Sequence, residues 1–124
     1  MSGIDYLIDT NILIYMVQGN PEVEYFAGEE RLAISYITEM EALGKYGIST
    51  HEKQIMSGFI NRCHIIEMNA KIKSLAIDIK QQIRMKLPDA IVAATAINYK
   101  LLLVTADKDF EKIQNLNLLL MNIG

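Results

Sequence analysis

Residues 6–15 read YLIDTNILIY. Tyr6, Leu7 and Ile8 have the character of a short strand, yet they run directly into Asp9, Thr10 and Asn11 before apolar residues resume at Ile12. A carboxylate at the end of a buried strand admits two readings. It caps a helix that begins near Thr10, or it is the first member of an acidic site. The positions of the other carboxylates decide between them.

Four further segments share the strand character of Tyr6–Ile8: Leu32–Ser35, Cys63–Glu67, Leu101–Thr105 and Leu118–Met121. Several lack strict alternation of apolar and polar residues, as expected of strands covered on both faces of a parallel sheet. Helical patterns lie between them. Ile72, Leu75, Ala76, Ile79 and Ile83 form an apolar stripe at helical spacing. Ala90–Ile97, rich in small and β-branched residues, suits a helix pressed against a sheet, and Thr38–Tyr46 and Thr50–Ile60 read as two more helices. Strands alternating with helices predict an α/β fold around a parallel sheet of about five strands. The length of 124 residues, with no linker or repeat, predicts one domain over 1–124.

Composition narrows the setting. The single cysteine, Cys63, has no partner for an internal disulfide, and the start MSGIDYLID lacks a basic, then apolar, leader. The apolar runs Leu101–Val104 and Leu118–Met121 are far shorter than the roughly 20 residues that span a bilayer. A cytoplasmic protein with no membrane partner is expected. The net charge of −3 argues against a protein that coats nucleic acid through a basic excess, but not against an enzyme that reaches a phosphate through a cation.

A parallel α/β sheet places its sites at the carboxyl ends of its strands. Asp9 follows the first strand, and Glu41 lies six residues after Ser35 in the helix beyond the second. Asp89 opens the helix that leads into the fourth strand, and Asp107 and Asp109 lie just past that strand. All five are predicted at one edge. Each has a simpler structural reading. Asp9 is a possible cap, Thr38 and Glu41 match the capping box Thr-x-x-Glu, Asp89 follows Pro88 in a first helical turn, and Asp107 or Asp109 could cap the segment Phe110–Ile113. Together these readings strain. Carboxylates about 4–6 Å apart repel by on the order of 3 kcal/mol per pair at an effective dielectric near 20, while a helix dipole returns only about 0.3–1 kcal/mol per acid. A divalent cation accounts for the gathering, since Mg2+ and Mn2+ prefer oxygen ligands beside a phosphate. Asp9 is therefore expected to be a metal ligand.

The stretches LIDTN, Ser35 and Thr38 with Glu41, LPDAIVAATA and LVTADKDF resemble the PIN-domain ribonucleases. The chain's size makes it most similar to the VapC-like toxins of type II toxin–antitoxin pairs. The resemblance runs from Leu7 to Phe110, and between Thr50 and Arg84 it rests on length and pattern alone. It implies a three-layer α/β/α domain and a Mg2+- or Mn2+-dependent endoribonuclease that hydrolyses phosphodiester bonds with metal-activated water. The products would carry a 3′-hydroxyl and a 5′-phosphate. Matched by position, Asp9, Glu41, Asp89 and Asp107 would form the catalytic and metal-binding quartet, with Asp109 as a further metal-site acid. Thr10, Asn11 and Thr105 match polar supporting positions. Arg84, Lys86 and Lys108 are the basic residues expected to touch RNA, with Lys45, Lys53 and Arg62 farther out. The implied partners are an RNA substrate such as tRNA or mRNA, a VapB-like antitoxin, and a second copy of the chain in a homodimer. The groove between Ile12–Val17 and the helix after Thr38 is the expected seat of the antitoxin, with Leu13 and Met16 facing it.

Other readings fit less well. No Gly-x-Gly-x-x-Gly follows a strand, as a dinucleotide site would require. A receiver domain would need an aspartate after the third strand, where Glu67 stands, and a haloacid-dehalogenase-type phosphatase would need a second aspartate where Asn11 stands. The non-enzymatic alternative is a PIN-like module that binds RNA or protein without cutting. His51 and His64 show no ligand spacing, and Cys63 reads as a small apolar group rather than a nucleophile.

Overall fold

The computed structural model describes residues 3–27 and 31–123. Strands β1 (Tyr6–Ile8), β2 (Leu32–Ser35), β3 (His64–Ile66), β4 (Leu102–Thr105) and β5 (Leu118–Leu120) form one sheet in the order β3-β2-β1-β4-β5, and every neighbouring pair is parallel. From β1 the chain moves outward through β2 to β3, then returns to the other side of β1 for β4. The strand order thus reverses between β1 and β4, and this is the crevice where open parallel sheets carry their sites.

Helices α1 (Thr10–Val17) and α2 (Pro21–Ala27) connect β1 to β2, α3 (Tyr36–Leu43) and α4 (Thr50–Ile60) connect β2 to β3, and α5 (Ala70–Gln82) and α6 (Leu87–Tyr99) connect β3 to β4. The pleat sorts the strand residues into two cores. Leu7, Ala33 and Leu103 pack with α5 and α6, whereas Ile8, Leu32, Ile34 and Val104 pack with α1, α3 and α4. Both faces are covered, giving three layers. This is why β2 is buried at all four positions and shows no alternation.

Short polar side chains set the helix starts. Asp9 opens α1, Ser49 opens α4 and Asn69 opens α5, each accepting a backbone N–H from three residues on, at 2.8–3.0 Å. Two expectations need correction. The helix assigned to Thr38–Tyr46 spans Tyr36–Leu43, because the Ser35 hydroxyl accepts the Ile37 N–H at 3.2 Å and starts the helix directly from the strand. Thr38 is therefore a buried interior residue and the capping-box reading of Thr38 and Glu41 fails. Helix α2 was not anticipated. Asn20 caps it by accepting from Glu22 N and Val23 N, with Pro21 as its first residue.

Helix α6 is buried at every position from Ala90 to Ala96, between the sheet and α5. The Thr95 hydroxyl satisfies itself on the Ile91 carbonyl at 2.7 Å. The helix stops in a Schellman motif: Lys100 N–H donates to Ile97 O and Leu101 N–H to Ala96 O. Lys100 occupies the left-handed position at φ 55°, where glycine is the unstrained choice. Lys100→Gly is expected to raise stability by about 1 kcal/mol, read as a higher urea midpoint with an unchanged slope.

Candidate active site at the switch point

Asp9 leaves β1 with its backbone N–H donating to Val104 O of β4 at 3.3 Å, so its carboxylate lies in the crevice between those strands. The residue is only 6% exposed, which makes its two neutral donors decisive. One carboxylate oxygen accepts from Ile12 N at 3.0 Å, and the other accepts the Thr105 hydroxyl. Thr105 also accepts the Asp107 N–H at 3.0 Å, so one buried side chain fixes both Asp9 and the turn that carries Asp107. Asp107 in turn accepts Asp109 N–H at 2.9 Å and caps the 3₁₀ segment Lys108–Lys112. On the other side of Asp9, Thr10 donates to Glu41 at 2.6 Å, reaching from α1 to α3. The Thr38 hydroxyl lies 3.4 Å from that of Thr10 and supports it from below.

Asp89 completes the group from the first turn of α6. Burial pushes its carboxyl above the usual range, and the charges of Asp107, Asp9 and Glu41 push it further, against a smaller opposing effect from Lys86. Burial likewise raises Asp9. The Thr105 and Ile12 hydrogen bonds pull it back, and the Asp107 and Glu41 charges add to the rise. Four carboxylates from four separate parts of the chain thus feel one another at one point.

The remaining expected residues divide. Asp109 lines a cavity of about 440 Å³ with Asp89, Asp107, Arg84, Lys86 and Lys80, but its own carboxylate is exposed and 3.4 Å from Lys112 Nζ. Asn11 and Lys108 are exposed, and neither lines that cavity. Lys80 is the residue that sequence reading missed. On α5 it reads as a solvated helix face, yet its ammonium donates to Met85 O at 2.6 Å and borders the acidic cavity. His51 and His64 are exposed, and burial raises the Cys63 thiol, which makes it a poor nucleophile.

A second depression lies between α1, α3 and α4, lined by Ile14, Val17, Ala42, Ile48, Ile55 and Met56, with Glu41, Lys45 and Glu52 among its polar residues. Its location matches the expected groove, but its lining does not. Leu13 and Met16 are 0% and 6% exposed and belong to the core beneath it. Ile14 and Val17 are the α1 residues that line it.

The donor set is suited to a hard cation: every candidate atom is a carboxylate or hydroxyl oxygen. Among the described residues, no three acidic, histidine or cysteine side chains are arranged to hold an ion unaided.

Topology and site together define a PIN fold, and the PIN domain family profile matches residues 6–116, so the chain belongs to that family. Among its relatives, ribonuclease VapC2 of Rickettsia felis is 30% identical, with the match covering 90% of this chain and 93% of the relative. A toxin–antitoxin complex from Klebsiella pneumoniae contains a chain 34% identical, at a TM-score of 0.78 over 90% of this chain and 95% of that one. The VapBC2 complex of Rickettsia felis, bound to a DNA fragment from its promoter, superposes at a TM-score of 0.83 with 25% identity, over 96% of this chain and 100% of that one.

The raised carboxyl of Asp89 has a consequence for stability. Between its ordinary value of 3.8 and its raised value, the folded state binds more protons than the unfolded state, so stability falls as pH rises through that window. The penalty is complete once pH exceeds the raised value. In metal-free protein, Asp89→Asn is expected to raise the thermal midpoint at neutral pH, and the gain should shrink as pH is lowered toward the ordinary carboxyl range.

Proposed function

We propose that this chain is a metal-dependent endoribonuclease and the toxin of a VapBC-type pair. The observation that carries the proposal is the meeting of Asp9, Glu41, Asp89 and Asp107 at the switch point, where burial and the charges of their neighbours disfavour the ionised forms of Asp9 and Asp89. Capping explains Asp9 and Asp107 one at a time. It gives no reason for four acids in one place.

In this reading Asp9 and Asp89 would hold the ion, with Glu41 and Asp107 beside it. Mg2+ or Mn2+ held there would supply a nucleophilic water near neutral pH and offset charge on the phosphate. The chain's other groups hold the acids in position. Ile12 N–H and the Thr105 hydroxyl fix both oxygens of Asp9, Thr10 fixes Glu41, and Asp109 N–H fixes Asp107. None of these donors carries a charge, so the negative charge stays available to a cation.

RNA is the substrate in this reading, and the named ribonuclease relative supports that choice. Purified protein with Mn2+ or Mg2+ is expected to cut single-stranded or loop-containing RNA. EDTA should abolish cutting, and Asp89→Asn should lower it by roughly a hundredfold or more. Cutting that survives both would overturn the reading. Intact RNA binding and unchanged biological effect in Asp89→Asn would favour the non-catalytic module instead.

The partner in this reading is a VapB-like antitoxin whose amphipathic segment lies in the groove between α1 and α4, where a basic side chain can meet Glu41. Homodimerisation is proposed on family grounds. Ile55 is 40% exposed in the groove, so Ile55→Glu leaves the core intact. This variant is expected to lose co-purification with the antitoxin while keeping its thermal midpoint and its RNA cleavage, and retained capture would place the antitoxin elsewhere.

A further inference from the structure

Between α5 and α6 the chain passes the acidic cavity as Ile83-Arg84-Met85-Lys86. Ile83 and Lys86 are both extended, at φ −133°, ψ 135° and φ −68°, ψ 148°. Exposure alternates along the segment: Arg84 is exposed, Met85 is buried in the core, and Lys86 is exposed. Arg84 and Lys86 both line the cavity that holds Asp89 and Asp107. Met85 anchors the segment twice, through its buried side chain and through its carbonyl, which accepts the Lys80 ammonium at 2.6 Å. A charged donor at that distance is among the stronger hydrogen bonds available to a loop.

Cations beside a carboxylate cluster are expected to form ion pairs with it if their only task is neutralisation. Among the described residues, Lys80, Arg84 and Lys86 form none; the ion pairs there are Arg31–Asp5 and Lys112–Asp109. Lys86 acts on Asp89 only at a distance, so two exposed cations without a close ion pair, on a pinned extended segment, remain available to an anion. A ligand with anionic groups in series fits this layout, because one group can lie at the metal-binding acids while its neighbour lies on Arg84 and Lys86. A nucleic-acid strand is such a ligand, and a contact to phosphate reads no base.

We propose that the connection between α5 and α6 is a phosphate clamp, in which Arg84 and Lys86 bind the RNA phosphate next to the scissile one and Lys80 acts as a positioning residue through the Met85 carbonyl. The proposal builds on the ribonuclease reading and adds to it where the strand runs and what grips it. Its occupant is a single strand held by its backbone, so swapping bases at the gripped nucleotide is expected to change affinity little.

The test is fluorescence anisotropy with a short labelled single-stranded RNA, with Ca2+ replacing Mg2+ or Mn2+ and KCl varied from about 50 to 200 mM. Arg84→Ala and Lys86→Ala are each expected to weaken binding roughly tenfold and to reduce the salt slope by about 0.7. Lys80→Met keeps the aliphatic stem and loses the donor. It is expected to weaken binding severalfold with the slope unchanged, and Lys80→Arg should restore affinity. Unchanged affinity and slope in both alanine variants would overturn the clamp, and unchanged affinity in Lys80→Met would overturn the positioning role. A parallel cleavage assay with Mn2+ separates the failures. If wild-type protein cuts RNA while the alanine variants bind as it does, only the clamp falls. If wild-type protein neither binds nor cuts, the ribonuclease reading falls with it.

Discussion

The Thr105 hydroxyl, 96 residues from Asp9 in sequence, is the point on which the site's geometry turns. It exists because β1 pairs with β4 rather than ending the sheet, and that pairing sets Ile8 opposite Val104 just before the two strands end. From there one side chain serves two acids, donating to Asp9 and accepting from the Asp107 backbone. The neighbouring holds follow the same rule: Ile12 N–H on Asp9, Thr10 on Glu41 and Asp109 N–H on Asp107 are all neutral donors. An arginine in any of these places would bind more strongly, but it would use up the charge. Neutral donors fix the direction of a carboxylate and leave its charge unspent.

The acids themselves were legible in the sequence because a parallel sheet restricts where chemistry can occur. Asp9, Asp89 and Asp107 each adjoin a strand end or a helix start, and local patterning locates both. Glu41 was less directly legible, since its place one turn into the helix after the second strand depends on the start of α3. That start was misread for a physical reason. Ser35 ends the strand and caps the helix at once, leaving no loop between them, while Thr38 and Glu41 mimic a capping box two residues too late. Resemblance supplied Asn11, and a place between Asp107 and Asp109 suggested Lys108; the structure leaves both exposed and outside the lining of the acidic cavity.

The groove was located correctly and lined wrongly. Residues Ile12 to Val17 are apolar or aromatic at every position, so periodicity cannot say which face of α1 turns inward. Only tertiary packing decides, and it buries Leu13 and Met16 and leaves Ile14 and Val17 at the groove. Lys80 was missed for the opposite reason. Its helix has a clear apolar stripe, and a lysine off that stripe is ordinarily solvated. Its significance lies in a carbonyl beyond the helix end, which no helical period encodes.

The two faces of the sheet contribute different surfaces to the same point. Helices α1, α3 and α4 form an apolar groove, and the segment between α5 and α6 presents cations. The acids lie between these surfaces, and Glu41 belongs to both groove and cluster: it lines the groove and, through Thr10, is tied to the helix that Asp9 caps. A segment seated in the groove therefore ends within reach of a carboxylate whose charge already raises the protonation equilibria of Asp9 and Asp89. A cation brought to Glu41 by such a segment would relieve part of that repulsion. It would do so from the side opposite Arg84 and Lys86, without displacing a strand held on them. Under the proposed function, partner and substrate then meet through the electrostatics of four acids, and contact between them is not required.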